Sequence, residues 1–146
     1  MTQVFLDANV YFAGFFSKSG ASSLILELAR RGKVSLFATR LVLLEADRNL
    51  RKKASPAVLK TFRRYLQNTK IHVMPMPDEK LFKPYEPYIY PKDLPILVAA
   101  VESKADFLVT LDRKHFFTSQ LLSKVKKIKI ITSADFIRET YLKGKL

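Results

Sequence analysis

Met1-Thr-Gln-Val-Phe-Leu-Asp-Ala-Asn-Val-Tyr-Phe-Ala-Gly-Phe15 is the stretch from which the rest of the chain can be read. Its apolar run Val4-Phe5-Leu6 predicts a buried strand that starts almost at the N-terminus. The run stops at Asp7, Asn9 follows closely, and an apolar helix-like segment continues to Gly14. A carboxylate at the carboxyl end of the first strand of an α/β sheet stands where such sheets bind ligands. Aspartate is also a favoured helix cap. The choice between the two turns on whether other carboxylates arrive at equivalent positions.

Working outward, Ser17 to Gly20 forms a turn, and a helix opening at Ala21 or Ser22 runs through Arg31 to a Gly32 cap. Val34 to Ala38 reads as a second strand. Thr39 can cap a helix from Arg40 to about Lys53, in which Glu45 lies beside Leu41 and Val42 at the edge of the apolar face. Asp47, with Arg51 four residues on, is an ordinary exposed pair. Ser55-Pro56 opens a further helix with the apolar stripe Val58, Leu59, Phe62 and Leu66. Ile71 to Met74 is a third strand. Five prolines between 75 and 92 restrict that loop to turns or a short helix, its tyrosines either packing on the body or stacking bases. Asp93 begins a helix that runs to about Lys104, with Pro95 in its first turn, so capping is a fair reading there too. Asp106 to Thr110 is a fourth strand ending at Leu111-Asp112, before a short helix holding His115 and Phe116. Lys127 to Thr132 is a fifth, and Ser133 caps a last helix through Tyr141. Strands alternating with helices predict a parallel sheet with helices on both faces, an α/β/α arrangement. No change of composition marks a boundary, so residues 1–146 are expected to form one domain.

Composition narrows the chemistry. Without cysteine there are no disulfides, thiolate zinc sites or cysteine nucleophiles, and His72 and His115 alone are too few for a histidine-based zinc site. No segment is long and apolar enough to span a membrane, and a basic leader followed by a hydrophobic stretch is lacking, so the expected location is the cytoplasm. Twenty-six lysines and arginines face thirteen acids, a net charge of +13. Such an excess attracts polyanions, nucleic acid above all, although a solubilising surface is the plainer alternative. Arg48, Arg51, Lys52, Lys53, Arg63 and Arg64 form the densest basic region and the expected place for a phosphate backbone.

Of the thirteen acids, eight fall in expected exposed faces or loops, and Asp106 opens a strand in a structural position. Asp7, Glu45, Asp93 and Asp112 remain. Four carboxylates meeting in one pocket would repel one another and need a cation, and oxygen ligands select a hard one, Mg²⁺ or Mn²⁺. A basic surface that holds a phosphodiester, with one or two such ions to activate water, makes a hydrolase. Asn9 and Thr110 could hold a metal-bound water or orient a carboxylate. No Ser/His/Asp set and no glycine-rich phosphate loop is visible.

These residues resemble the PIN-domain family, close to its VapC-like predicted toxin ribonucleases. The opening Val4-Phe-Leu-Asp-Ala-Asn-Val10 resembles the family's strand ending in Asp-x-Asn-Val. Glu45 within Leu41-Val-Leu-Leu-Glu-Ala46 matches its helical glutamate, and Tyr90-Pro-Lys-Asp-Leu-Pro-Ile-Leu-Val-Ala-Ala100 the helix that begins with the third acid. Ala105-Asp-Phe-Leu-Val-Thr-Leu-Asp112 matches the ending Ala-Asp-x-Leu-Val-Thr-Gly-Asp, with Leu111 in place of the usual glycine. Tyr90 and Leu94 stand where many relatives have further acids. The resemblance implies a five-stranded parallel sheet, a Mg²⁺- or Mn²⁺-dependent endoribonuclease, homodimers and, for a toxin, an antitoxin that blocks the acidic pocket. Apolar helix faces between Leu24 and Leu44 would allow a dimer. The reading from another class is a catalytically silent RNA-binding module in RNA processing.

Overall fold

The computed structural model describes residues 1–146. Five strands, β1 (Gln3–Leu6), β2 (Ser35–Thr39), β3 (Ile71–Met74), β4 (Phe107–Val109) and β5 (Lys129–Ile131), form one sheet in the order β3-β2-β1-β4-β5. Every pairing is parallel. Val4, Phe5 and Leu6 of central β1 have no exposed surface, as expected of a strand covered on both faces. At edge strand β3, Val73 is exposed and no residue is fully buried.

Helices α1 (Ala8–Phe16), α2 (Ala21–Arg30), α3 (Arg40–Lys53) and α4 (Pro56–Asn68) precede a loop of three short 3₁₀ turns, Glu79–Phe82, Glu86–Tyr88 and Pro91–Asp93. Then follow α5 (Leu94–Ser103), α6 (Arg113–Phe116), α7 (Ser119–Lys124) and α8 (Ser133–Glu139). The result is the expected α/β/α architecture with a five-stranded parallel sheet. Three helices start on the residue that ends or follows a strand: Asp7 caps α1, Thr39 caps α3 and Thr132 caps α8. Such strand-to-helix turns leave no slack, so a side chain at the turn has a fixed place at the sheet edge.

Two expectations need correction. The cap of α8 is Thr132, whose hydroxyl accepts the Asp135 N–H at 3.2 Å, and Ser133 lies within the helix with its hydroxyl bonded to Ser22 at 2.8 Å. Helix α7, capped by Thr118, lies in a stretch where the sequence predicts no element; six residues are too few for a periodicity to emerge.

Close packing of α1 on α2 depends on Gly14, where a Cβ would fall 3.2 Å from the Ser22 carbonyl oxygen and against the Leu26 side chain. Helix α5 is apolar all round, with Leu94 and Ile96 to Val101 buried, and it lies inside the molecule as such a helix must. No helix is long and apolar enough to cross a membrane.

Candidate active site

In the order β3-β2-β1-β4-β5 the chain winds one way from β1 and then the other, so the switch point falls between β1 and β4. Helices leave opposite faces there and open a crevice at the carboxyl ends of the two strands. Asp7 follows β1, and Thr110 and Asp112 follow β4. A cleft of about 140 Å³ at that place is lined by Asp7, Ala8, Asn9, Glu45, Asn49, Lys92, Asp93, Ile96 and Asp112. All four singled-out acids therefore share it.

Asp7 is both a cap and a cleft residue. Its Oδ1 accepts the Ala8 N–H at 2.7 Å, while Oδ2 accepts the Thr110 hydroxyl at 2.8 Å and the Asn9 amide at 3.4 Å. The Thr110 hydroxyl also accepts from Asn9 Nδ2 at 3.3 Å and from the Asp112 N–H at 3.2 Å, which uses its full bonding capacity. Asn9 Oδ1 accepts the Leu111 N–H at 3.1 Å. Asn9 and Thr110 thus tie the start of α1 to the end of β4 and hold Asp7 between them. Leu111 is 39% exposed and its φ is not positive, so the absent glycine leaves no backbone strain.

Asp112 divides its oxygens in the same way: Oδ1 caps α6 through the His115 N–H at 3.1 Å, and Oδ2 lies 2.8 Å from His115 Nδ1. Asp93 differs. It precedes α5 but makes no capping bond, and its Oδ2 points across to His115 Nδ1 at 3.3 Å. Capping therefore describes Asp7 and Asp112 as well as the cleft does, but does not describe Asp93. Glu45 reaches the cleft half-buried from α3, with Asn49 one turn further along the same face.

Crowding leaves a mark on the acids. Asp7 is 5% exposed, and burial lifts its pKa to about 6; the bonds from Thr110 and Ala8 pull it down, while the charges of Glu45 and Asp93 push it up. Asp93 is raised too, first by burial and then by Asp112, with His115 and Lys92 opposing. Lys92 is the one lysine or arginine on the cleft wall. Oxygen donors in excess of positive charge suit a hard divalent cation.

Three lining or neighbouring residues escape the sequence reading. His115 bridges Asp93 and Asp112, Tyr90 stacks on its ring at 5.1 Å with the planes 13° apart, and Asn49 joins Glu45. Only the spacings Asp112 to His115 and Glu45 to Asn49, i to i+3 and i to i+4 on helices, signal them. Leu94 is in the core.

Within the basic region, Arg63 grips Asp47 through two bonds of 2.8 and 3.1 Å, and Arg51 reaches the same carboxylate at 3.2 Å. Asp47 is thus the clasp between α3 and α4, held below its ordinary range chiefly by Arg63. Arg48, Lys52, Lys53 and Arg64 are exposed, Lys53 with its ammonium 5.8 Å over the Phe12 ring. Phe16, Leu41 and Leu44 are exposed apolar residues on α1 and α3.

A sequence profile described as "PIN domain" matches residues 3–114, which include the nine residues lining the cleft and stop just short of His115. No curated protein sequence matches. Similar solved structures include a chain in the crystal structure of VapBC2 from Rickettsia felis bound to a DNA fragment from their promoter. It is 17% identical, with a TM-score of 0.63 over 90% of this chain and 98% of that one. PAE2754 from Pyrobaculum aerophilum is 19% identical, with a TM-score of 0.58 over 93% of each chain.

Proposed function

The chain belongs to the PIN-domain family, and from that premise we propose that it is a metal-dependent endoribonuclease that hydrolyses RNA phosphodiester bonds, acting as the toxin of a toxin–antitoxin pair. The observation that carries the reading is the meeting of Asp7, Glu45, Asp93 and Asp112, from four separate segments, in one cleft at the sheet's switch point. In this reading those four residues hold Mg²⁺ or Mn²⁺. Such a cation, when bound, supplies charge to polarise the phosphodiester and lowers the pKa of water.

The protein's own residues do the rest. Thr110 and Asn9 fix Asp7 so that its Oδ2 keeps one orientation, and Asp112 is steadied by the Thr110 hydroxyl at its backbone. Lys92 offers a positive charge at the rim to an incoming phosphate. Arg48, Lys52, Lys53 and Arg64, with Arg51 and Arg63 more tightly held by Asp47, attract the RNA backbone beyond the cleft. The likeness to a VapBC2 chain supports an antitoxin partner for this chain, and exposed Phe16, Leu41 and Leu44 offer apolar surface for it or for a second copy in a homodimer. Its place of action is the cytoplasm.

The test is cleavage of a mixed RNA pool with Mg²⁺, Mn²⁺ or EDTA, by wild type, Asp7→Asn and Asp93→Asn. Metal-dependent cleavage lost in both variants is the expected result. RNA binding without cleavage, the same in all three proteins, would overturn the enzyme reading and leave an RNA-binding module.

A further inference from the structure

We propose that His115 is a protein ligand of the cation that Asp93 and Asp112 bind, and that its imidazole nitrogen tilts the centre towards Mn²⁺ and away from Mg²⁺. The inference rests on the metal-centre reading above and gives it a cation preference.

Three donor atoms, one each from Asp93, Asp112 and His115, lie within 4.8 Å of one another. His115 Nδ1 is 2.8 Å from one carboxylate oxygen and 3.3 Å from the other. Neighbouring ligands of an octahedral ion with bonds near 2.1 Å stand about 3 Å apart. The two separations from Nδ1 fall close to that value, although without a cation they are equally those of a hydrogen bond and an ion pair.

The ring is held for the task. Tyr90 stacks flat on it, and the His115 N–H is bonded to Asp112 Oδ1, so both the ring plane and the helix turn beneath it are set. Tyr90 is 57% exposed, a large aromatic surface left in water over this one ring. Mg²⁺ is held through oxygen, whereas nitrogen donors favour the first-row transition ions, the series of which Mn²⁺ is the weakest-binding member.

Pulsed EPR of the untagged chain loaded with Mn²⁺ tests the proposal directly. An imidazole nitrogen coupled to the ion is expected in wild type and absent in His115→Gln. The signal has one source at this site, since the only other histidine, His72, is on edge strand β3. Calorimetric titration with each cation should show Mn²⁺ affinity falling in His115→Gln, and with it the Mn²⁺-over-Mg²⁺ preference, while Mg²⁺ affinity stays nearly unchanged. Mn²⁺ bound by wild type, lost in Asp93→Asn, yet without nitrogen coupling would overturn the role of His115 and leave the metal centre standing. No Mn²⁺ binding at millimolar concentration would overturn both. The wild-type spectrum decides the first point even if a variant folds poorly.

Discussion

The two ends of the sheet each present an aspartate, in opposite company. At the carboxyl end of β1, Asp7 is buried beside Glu45 and Asp93, with Lys92 as the only nearby lysine on the cleft wall. At the amino end of β4, Asp106 is exposed, accepts the Gln3 N–H at 2.8 Å, and shares a hollow with Lys104, Lys126, Lys127 and Lys129. One acid fastens two strands and is surrounded by counter-charge. The other is held apart from it in a chain with a net charge of +13. In so basic a protein a local shortage of cations is the informative feature, because an external cation is the natural remedy.

Substituting acids at each end should separate the two roles. Asp93→Asn is expected to lower kcat/KM for RNA cleavage by about 10³-fold or more, whereas Asp106→Asn should leave it within about twofold. Equal losses from both would collapse the distinction.

The next effect is on stability. The folded chain keeps the Asp7 proton up to about pH 6, while in the unfolded chain it is lost near 3.8. Over that window the folded state binds more protons, so metal-free stability should fall as pH rises from about 4 to 6, levelling off after a loss of about 3 kcal/mol. Asp7→Asn should remove most of that slope, the remainder belonging to Asp93, whose carboxyl is raised too, and should stabilise the metal-free protein at neutral pH by up to that amount, measured by chemical denaturation in EDTA. Mn²⁺ at a hundred times its Kd should return about 2.7 kcal/mol to wild type. A slope undiminished in Asp7→Asn would assign it elsewhere.

Thr110→Val should cost 10- to 100-fold in metal affinity, read by titration, because the hydroxyl that orients Asp7 is gone. It should also move the Asp7 transition above 6, since Thr110 is the strongest influence lowering it. Smallest of all, Asp106→Asn should shift the thermal midpoint by no more than about 2 °C, and less at high salt.

Much of the fold was legible because buried parallel strands are short apolar runs with sharp ends. Val4 to Leu6 and Phe107 to Val109 could be located, and with them the acids just past their ends. The order of strands was not legible, since no residue of β1 announces that it pairs with both β2 and β4. Four acids could be sorted out because their positions were unusual for exposed carboxylates. His115 could not, because its meeting with Asp93 depends on how the loop before α5 lies against α6, a tertiary relation with no sequence period. The grip of Arg63 on Asp47 is hidden for the same reason: only the i to i+4 partner Arg51 can be seen along one helix.

The pairing of β1 with β4 joins Val4 to Phe107, and so one edge of β1 waits for a strand made about a hundred residues later. A ribosome adding roughly 5–20 residues per second needs on the order of ten seconds to pass from one to the other, and folding proceeds from the N-terminal side as the chain emerges. Throughout that interval Asp7 and Glu45 exist without Asp112, and the nascent chain has no cleft. For a protein with the activity proposed above, the topology acts as a safety delay: the chain cannot attack the message from which it is being translated until β4 and the Asp112 that follows it have been made.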